Sequence, residues 1–157
     1  MVEKHFSKYL LCVDRHGGEL NETSGDGLMM MFKSETIEHH AREAVAAGLE
    51  IIKENRQLNQ KLSYPWGGVN LHMGINSGEA YVGTTRMKSI IGERLTYTAS
   101  GLVTVLAALI GKLSENTKLF IGPETYSIIR DIYPCDFIGD CQLKNISECT
   151  SIFHVRT

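Results

Sequence analysis

Apolar residues recur at intervals of three and four along two segments in the first half of the chain, the spacing of an amphipathic helix. In the first segment these residues are Phe6, Tyr9, Leu10 and Val13. The predicted helix begins almost at Met1 and ends at Gly17-Gly18, because glycine readily forms the left-handed turn that closes a helix. A longer apolar stripe, rich in alanine, predicts a second helix over residues 37–62.

Alternation of apolar and polar residues predicts two β-hairpins. Residues 20–24 and 28–32 form the first, and the turn Gly25-Asp26-Gly27 closes it. A second hairpin is predicted over residues 69–83, with Ser77-Gly78 in its turn. The segment TTRMKSIIGERL that follows is interpreted as a polar excursion.

The second half of the chain predicts a mixture of helices and strands. TASGLVTVLAALIGKL is apolar enough for a mostly buried helix, and LFI, residues 119–121, is a short strand. Pro123 opens a helix that runs to about Tyr133, since proline fits the first turn of a helix. Two or three short strands end the chain. The order of elements predicts an α+β sandwich, with helices packed on a largely antiparallel sheet.

Composition limits the classes of function. The chain has 157 residues, which predicts a single domain over residues 1–157. A net charge of −2 excludes strong electrostatic attraction to nucleic acid or an anionic membrane. No apolar run approaches the ~20 residues that span a bilayer, and the charged N-terminus is unlike a secretory signal. The four cysteines lack metal-binding spacing and indicate reduced thiols, so we expect a cytoplasmic protein.

Four stretches carry a family resemblance: HGGELNETSGDGLMMMF, LHMGINSGEAYVG, YTASGLVTVLAALI and LKNISECTSIFHV. In this order and spacing they resemble the class III nucleotidyl cyclase catalytic domain, the family of adenylate and guanylate cyclases. The resemblance implies a ferredoxin-like fold with a mostly antiparallel sheet flanked by helices. It also implies attack of a ribose 3′-oxygen on the α-phosphate of ATP or GTP, with two divalent metal ions, Mg²⁺ or Mn²⁺, at the reacting oxygens. The partner it implies is a second copy or a related cyclase-domain chain.

The resemblance assigns roles to four residues. Asp26 matches one of two metal-binding aspartates, although Asp-Gly is also a plain turn signal. Glu22 and Thr98 match the positions that read the purine base, and they combine features of adenylate-type and guanylate-type enzymes. Lys144 matches a lysine that contacts the triphosphate, and Asn145 stands where the family usually has glycine. Each of these polar residues is also compatible with an ordinary exposed position.

Three catalytic groups of the family have no counterpart. The first metal-binding aspartate lies on a strand before the opening helix, and that central strand is missing from this chain. The family motif N-L-A-A-R falls on residues 105–109, where Val105 replaces the asparagine and Leu109 the arginine. Both are interpreted as buried core of an apolar helix. Without the first strand, we expect a rearranged sheet, strand exchange or completion by a partner, because unpaired buried backbone groups cost ~1–3 kcal/mol each.

Three functional hypotheses follow. The first is a cyclase-family domain of cyclic nucleotide signalling with impaired catalysis, acting as a dimerising or nucleotide-binding module. The second is an active cyclase, a phosphorus-oxygen lyase that forms cyclic nucleotide and pyrophosphate. The third is a ferredoxin-like binding module without cyclase ancestry, which the absence of a hairpin with Asp26 at its tip would favour.

Overall fold

The computed structural model describes residues 3–90 and 92–157. The elements in chain order are α1 (Glu3–Arg15), β1 (Gly18–Ser24), β2 (Gly27–Phe32), α2 (Ile37–Leu62), β3 (Met73–Ile75), β4 (Tyr81–Ser89), β5 (Gly92–Ser100), α3 (Leu102–Leu113), β6 (Leu119–Ile121), α4 (Pro123–Ile129), β7 (Cys135–Gln142) and β8 (Cys149–Val155). The first helix, the first hairpin and the long second helix lie where the sequence predicts them. The predicted start of α1 at Met1 lies outside the described residues.

The long helix α2 is set by signals at both of its ends. The Thr36 hydroxyl accepts a hydrogen bond from the backbone N–H of His39 at 3.3 Å, which caps the first turn. At the other end Ser63 adopts a left-handed conformation, with φ of 43°, and its N–H bonds to the carbonyl of Asn59. Between the caps, one face of α2 is buried through alanines and branched aliphatic residues. This face packs on the strands.

A four-stranded sheet in the order β3-β6-β8-β7 holds the largest part of the core. β3 and β6 are parallel, and the other two pairs are antiparallel. All three residues of β6 are buried, because β6 is central in this sheet and covered by helices. The fully buried core residues that α2, α4, β6 and β8 contribute here are Val45, Ile52, Leu119, Ile121, Ile129 and Val155.

The remaining strands form two separate hairpins. β1 and β2 pair with each other, and their inner face packs against α1 and α2 through Leu28, Met30 and Phe32. Among the described residues, no ladder joins β2 to β3. The strands of the described residues are thus divided among three sheets.

The prediction of a second hairpin over residues 69–83 is wrong. β3 is only three residues long and pairs in parallel with β6. Ser77, the expected turn residue, is buried and bonds to the Thr125 hydroxyl at 2.9 Å. The hairpin instead consists of β4 and β5, in the segment interpreted as a polar excursion, with every pair in register from Tyr81 and Ser100 to Ser89 and Gly92. Its exposed first residues give no apolar alternation, so the two-residue period was not visible.

The helix that begins at Pro123 is shorter than predicted. α4 ends at Ile129 instead of about Tyr133. The N–H groups of Ile132 and Tyr133 both bond to the Ile129 carbonyl at 2.9 Å, which forms a turn. Pro134 disfavours the helical conformation of Tyr133, so the chain does not resume a helix after this turn. None of the helices built from the described residues is long and apolar enough to cross a membrane.

Two histidines join α1 to α2. His5 is fully buried; its Nδ1 lies 3.1 Å from Asn55 Oδ1, and its Nε2 lies 3.1 Å from the hydroxyl of Tyr64. His16 lies between two carboxylates of α2, with Nδ1 at 2.8 Å from Glu43 and Nε2 at 3.0 Å from Glu50. These polar contacts hold α1 against α2.

Candidate functional site

Asp26 occupies the exposed tip of the first hairpin. Ser24 pairs with Gly27, so Gly25 and Asp26 form a two-residue turn. Gly25 has φ of 59°, a conformation that glycine adopts without strain at the first position of such turns. The turn therefore requires Gly25 but does not require an aspartate after it. Asp26 makes no hydrogen bond or ion pair with any described residue, which leaves its carboxylate open to solvent.

A bulge in β1 separates Glu22 from the regular part of the strand. The pairing register shifts between Leu20 and Glu22, which leaves Asn21 as the extra residue. Glu22 is exposed, whereas Asn21 is only 8% exposed. The Oδ1 atom of Asn21 accepts a hydrogen bond from the backbone N–H of Ala99 at 3.0 Å. This bond connects β1 to β5, the strand that carries Thr98.

Thr98 and Glu22 are therefore brought to adjacent strands. Thr98 is half-buried on β5 and pairs with Gly83 across the hairpin β4–β5. Glu22 directly follows Asn21 in the chain, and Thr98 directly precedes Ala99. Both residues therefore lie next to the hydrogen bond between Asn21 and Ala99. Two positions that are far apart in the sequence are thus held together by a contact between neighbouring strands.

Lys144 lies in the loop between β7 and β8, in the four-stranded sheet. It is exposed, and the loop closes through a bond from the Ile146 N–H to the Leu143 carbonyl at 3.0 Å. Asn145 has φ of 64°, which explains why glycine is usual at this position and why asparagine can replace it. No hydrogen bond or ion pair between described residues connects Lys144 to Asp26, Glu22 or Thr98.

The interpretation of α3 as mostly buried is wrong. Only Ile110 and Gly111 of this helix are buried. Val105, which stands in the position of the family's asparagine, is 48% exposed. Leu109, in the position of the arginine, is half-buried and packs against the cluster that contains Ile110 and Phe120. The helix covers the sheet with one side only, so its second apolar side faces outward.

Two glycines fix the position of α3 against the sheet. A Cβ atom on Gly74 of β3 would lie 2.3 Å from the backbone nitrogen of Gly111 and 2.4 Å from the Ala107 carbonyl oxygen. These distances are far below van der Waals contact, so the helix and the strand meet backbone to backbone. Gly74 and Gly111 were not singled out for this contact from the sequence, because it joins residues 37 positions apart.

Burial lowers the pKa of three histidines away from these positions. For His5 desolvation is the main cause, and the hydrogen bond to Asn55 acts in the opposite direction. Desolvation also lowers the pKa of His40, against the raising effect of Glu38. It lowers the pKa of His154 together with the positive charge of Lys118. All three therefore favour the neutral form in the folded chain.

The described residues do not fit a two-metal centre. A divalent ion such as Mg²⁺ takes about six oxygen ligands, usually with one or two protein carboxylates among them. No group of three or more His, Cys, Asp or Glu side chains within the described ranges is arranged to hold a metal ion. Asp26 offers one exposed carboxylate alone. Asp26 is thus the one described carboxylate at a position that the family resemblance assigns to a metal ligand.

The described residues form an α+β domain in which an Asp-tipped hairpin lies beside a sheet covered by helices. The sequence model of the adenylate and guanylate cyclase catalytic domain matches residues 1–154. This protein belongs to the adenylate and guanylate cyclase catalytic domain family, the class III cyclases. Membership excludes the interpretation as a module without cyclase ancestry.

Solved structures show the same fold. The adenylyl cyclase CyaB from P. aeruginosa is 26% identical, with a TM-score of 0.87 over 99% of this chain and 80% of that one. The guanylyl cyclase Cya2 is 28% identical, with a TM-score of 0.80 over 98% and 77%. The guanylate cyclase domain of RhGC from Catenaria anguillulae, solved with GTP, is 20% identical, with a TM-score of 0.84 over 99% and 81%. No match was found among curated protein sequences.

Sequence reasoning missed two features of this region. The first is Asn21, whose side chain joins the two hairpins; in the sequence it is one polar residue among several in the strand, and only the structure shows that it is buried. The second is the outward apolar side of α3. Its signal is present in the sequence, because an apolar helix cannot bury every side against a single sheet.

Proposed function

We propose that this chain is a cyclase-family domain of cyclic nucleotide signalling with impaired catalysis. In this proposal it acts by pairing with a second cyclase domain, either another copy or a related chain, and by binding a purine nucleoside triphosphate. The observation that carries the proposal is the character of α3: Val105 and Leu109 present hydrocarbon at the two positions that match the family's asparagine and arginine.

Hydrocarbon side chains cannot perform the chemistry of those positions. A guanidinium donates two hydrogen bonds to a phosphate in a fixed geometry, whereas leucine donates none. An arginine that stabilises a transferring phosphoryl group is worth about 10³–10⁵ in rate. The incomplete metal ligand set adds to this loss, since metal ions at the reacting oxygens stabilise charge that develops in the transition state.

The outward side of α3 supports pairing with another domain. Leu102, Val105 and Leu113 lie along one side of the helix and are 60%, 48% and 40% exposed. Contiguous exposed apolar surface is typical of protein interfaces, and its burial contributes about 25 cal/mol per Å². A guanylyl cyclase domain of the RhoGC fusion protein from Blastocladiella emersonii has been solved as a dimer; it is 18% identical to this chain, so the likeness concerns the fold.

Nucleotide binding is supported by the residues that match the base and phosphate positions. Glu22 and Thr98 lie on adjacent strands, and Lys144 is exposed and has no partner among the described residues. One structural relative was solved with GTP, and a rhodopsin-guanylyl cyclase core with converted specificity was solved with ATPαS. In this chain we propose that Glu22 and Thr98 contact the purine and Lys144 the phosphates.

The test of the catalytic part is an assay for cyclic nucleotide with ATP or GTP and Mn²⁺. The control is Asp26→Ala, which removes the matching metal ligand at an exposed turn and leaves Gly25 in place. We expect the wild-type chain and the control to give the same background. Cyclic product from the wild-type chain clearly above that of Asp26→Ala would refute impairment and establish the alternative, an active cyclase.

The alternative has one observation in its favour. Asp26 is exposed at the hairpin tip and has no partner among the residues that the structure describes, so its carboxylate is accessible to a metal ion. An active enzyme would then need the other ligand and the phosphate-stabilising groups from a partner chain. The same assay, repeated with a related cyclase domain added, distinguishes activity in the complex from activity of this chain.

Sedimentation analysis tests the pairing. The Val105→Asp variant places a charge on the outward side of α3, and Leu11→Asp does the same at an exposed leucine of α1 that is 53% exposed. We expect the wild-type chain and Leu11→Asp to sediment as dimers and Val105→Asp as a monomer. A monomeric wild-type chain that also fails to bind a related cyclase domain would contradict pairing through this face.

A further inference from the structure

One buried side chain, Asn21, connects the two hairpins. Asn21 contacts Met29 within its own hairpin, with 3.1 Å between its Nδ2 atom and the sulfur of Met29. Its Oδ1 atom accepts the hydrogen bond from the backbone N–H of Ala99 at 3.0 Å. Asn21 is only 8% exposed, and both the nitrogen and the oxygen of its side-chain amide have a partner.

The bulge makes this connection possible. In a regular ladder every residue of β1 would oppose a residue of β2, but Asn21 is the extra residue and has no partner in the ladder. Its neighbour Leu20, which pairs with Met30, is 42% exposed and apolar. The bulge therefore directs the Asn21 amide toward β5, where it accepts the hydrogen bond from the backbone N–H of Ala99. Without this acceptor, a buried N–H group would lower the stability of the fold by about the free energy of a lost hydrogen bond.

We infer that Asn21 is a positioning residue for purine selection. It holds β5 at a fixed distance from β1, and this distance sets the separation between the carboxylate of Glu22 and the hydroxyl of Thr98. Hydrogen bonds weaken steeply outside 2.7–3.2 Å, so a small displacement of one strand changes which pattern of donors and acceptors on a purine is favoured. The inference rests on the proposed function, because it requires that a purine nucleoside triphosphate binds at Glu22 and Thr98.

The chain offers a matched control at Asn59. Like Asn21, Asn59 uses both ends of its amide to anchor backbone: Nδ2 donates to the Val69 carbonyl and Oδ1 accepts from the Val69 N–H, each at 2.9 Å. Asn59 is on α2 and connects to the loop before β3 instead of to β5. Asn59 is half-buried, and the Asn59→Ala variant therefore reports the general cost of losing an amide that anchors backbone.

The experiment measures the dissociation constants of GTP and ATP by calorimetry for the wild-type chain, Asn21→Ala, Asn21→Asp and Asn59→Ala. We expect Asn21→Ala to change the ratio of the two constants by roughly three- to tenfold, the worth of one hydrogen bond. Asn21→Asp keeps an acceptor for the Ala99 N–H and should restore most of the ratio. Its added charge affects both nucleotides alike, because they carry the same charge. Asn59→Ala should leave the ratio unchanged.

Hydrogen exchange at the Ala99 amide provides a readout that needs no nucleotide. We expect faster exchange in Asn21→Ala and wild-type exchange in Asn21→Asp and Asn59→Ala. Unchanged exchange in Asn21→Ala would overturn the connection itself. Faster exchange with an unchanged GTP-to-ATP ratio would overturn only the role in purine selection. If the wild-type chain bound neither nucleotide, the proposed nucleotide binding would fail and this inference with it, whatever the exchange result.

Discussion

The close contact between β3 and α3 leads to a sharp prediction for Gly74→Ala. The added Cβ atom would lie 2.3 Å from the Gly111 nitrogen and 2.4 Å from the Ala107 carbonyl oxygen. Both atoms belong to the backbone of α3, so no side-chain rotation relieves the clash and the helix must move away by about 1 Å to reach normal contact. Overpacking of a close-packed interior typically costs 1–3 kcal/mol, and the rigid surroundings favour the upper end, about 3 kcal/mol.

Urea denaturation followed by circular dichroism measures this loss. With ~2 kcal/mol per M as the urea dependence for a small domain, the midpoint should fall by about 1.5 M. The matched control is Gly83→Ala, since a Cβ atom at Gly83 meets nothing within 4 Å and its φ is not in the left-handed region. Gly83→Ala should stay within about 0.5 kcal/mol of the wild-type chain. If the two variants were equally stable, the proposed backbone contact between β3 and α3 would be refuted.

Two further predictions concern the junction of α1 and α2. Burial lowers the pKa of folded His5 below its ordinary value of 6.5, so the unfolded chain binds this proton first and stability falls as the pH drops below about 6.5. Urea titrations at pH 7 and pH 5 should therefore show a smaller loss of unfolding free energy in His5→Gln than in the wild-type chain. The control His39→Gln, at an exposed histidine, should lose as much as the wild-type chain. Equal losses in His5→Gln and the wild-type chain would contradict this prediction. Glu50→Gln removes a partner of both Arg15, at 2.6 Å, and His16, at 3.0 Å. These groups are partly exposed, so we expect Glu50→Gln to lower the free energy of unfolding by ~0–1 kcal/mol, and by less in high salt. A decrease above ~2 kcal/mol that does not depend on salt would contradict the role of Glu50 as a partly exposed ion-pair partner.

Local sequence patterns were sufficient to predict the helices and the hairpin of the first 62 residues. The apolar period of α2 predicts its extent, and the structure shows Thr36 and Ser63 as the caps of its two ends. The first hairpin follows from Gly25 and Asp26, because a two-residue turn with glycine in a left-handed conformation fixes the pairing on either side. In these elements the decisive interactions join residues close in the sequence, so the sequence pattern carries them.

The second half of the chain could not be predicted in the same way. β3 pairs in parallel with β6, 46 residues later, and a parallel partner leaves no turn signal between the strands. The first residues of the hairpin β4–β5 show no apolar period, and residues 81–84 are all exposed. Val105 illustrates the same limit: an apolar residue on an apolar helix has the same pattern whether that side of the helix is covered or open to solvent.

The sequence by itself determined the family, the extent of α2 and the Asp-tipped hairpin, and it predicts that Val105 and Leu109 are apolar replacements at two polar catalytic positions. Only the tertiary structure decided that Val105 faces outward, that α3 touches β3 through Gly74, and that Asn21 ties β1 to β5. The reason is physical. Helix periods, caps and tight turns depend on neighbours within a few residues, whereas exposure and the contacts between strands depend on where distant segments of the chain come to lie.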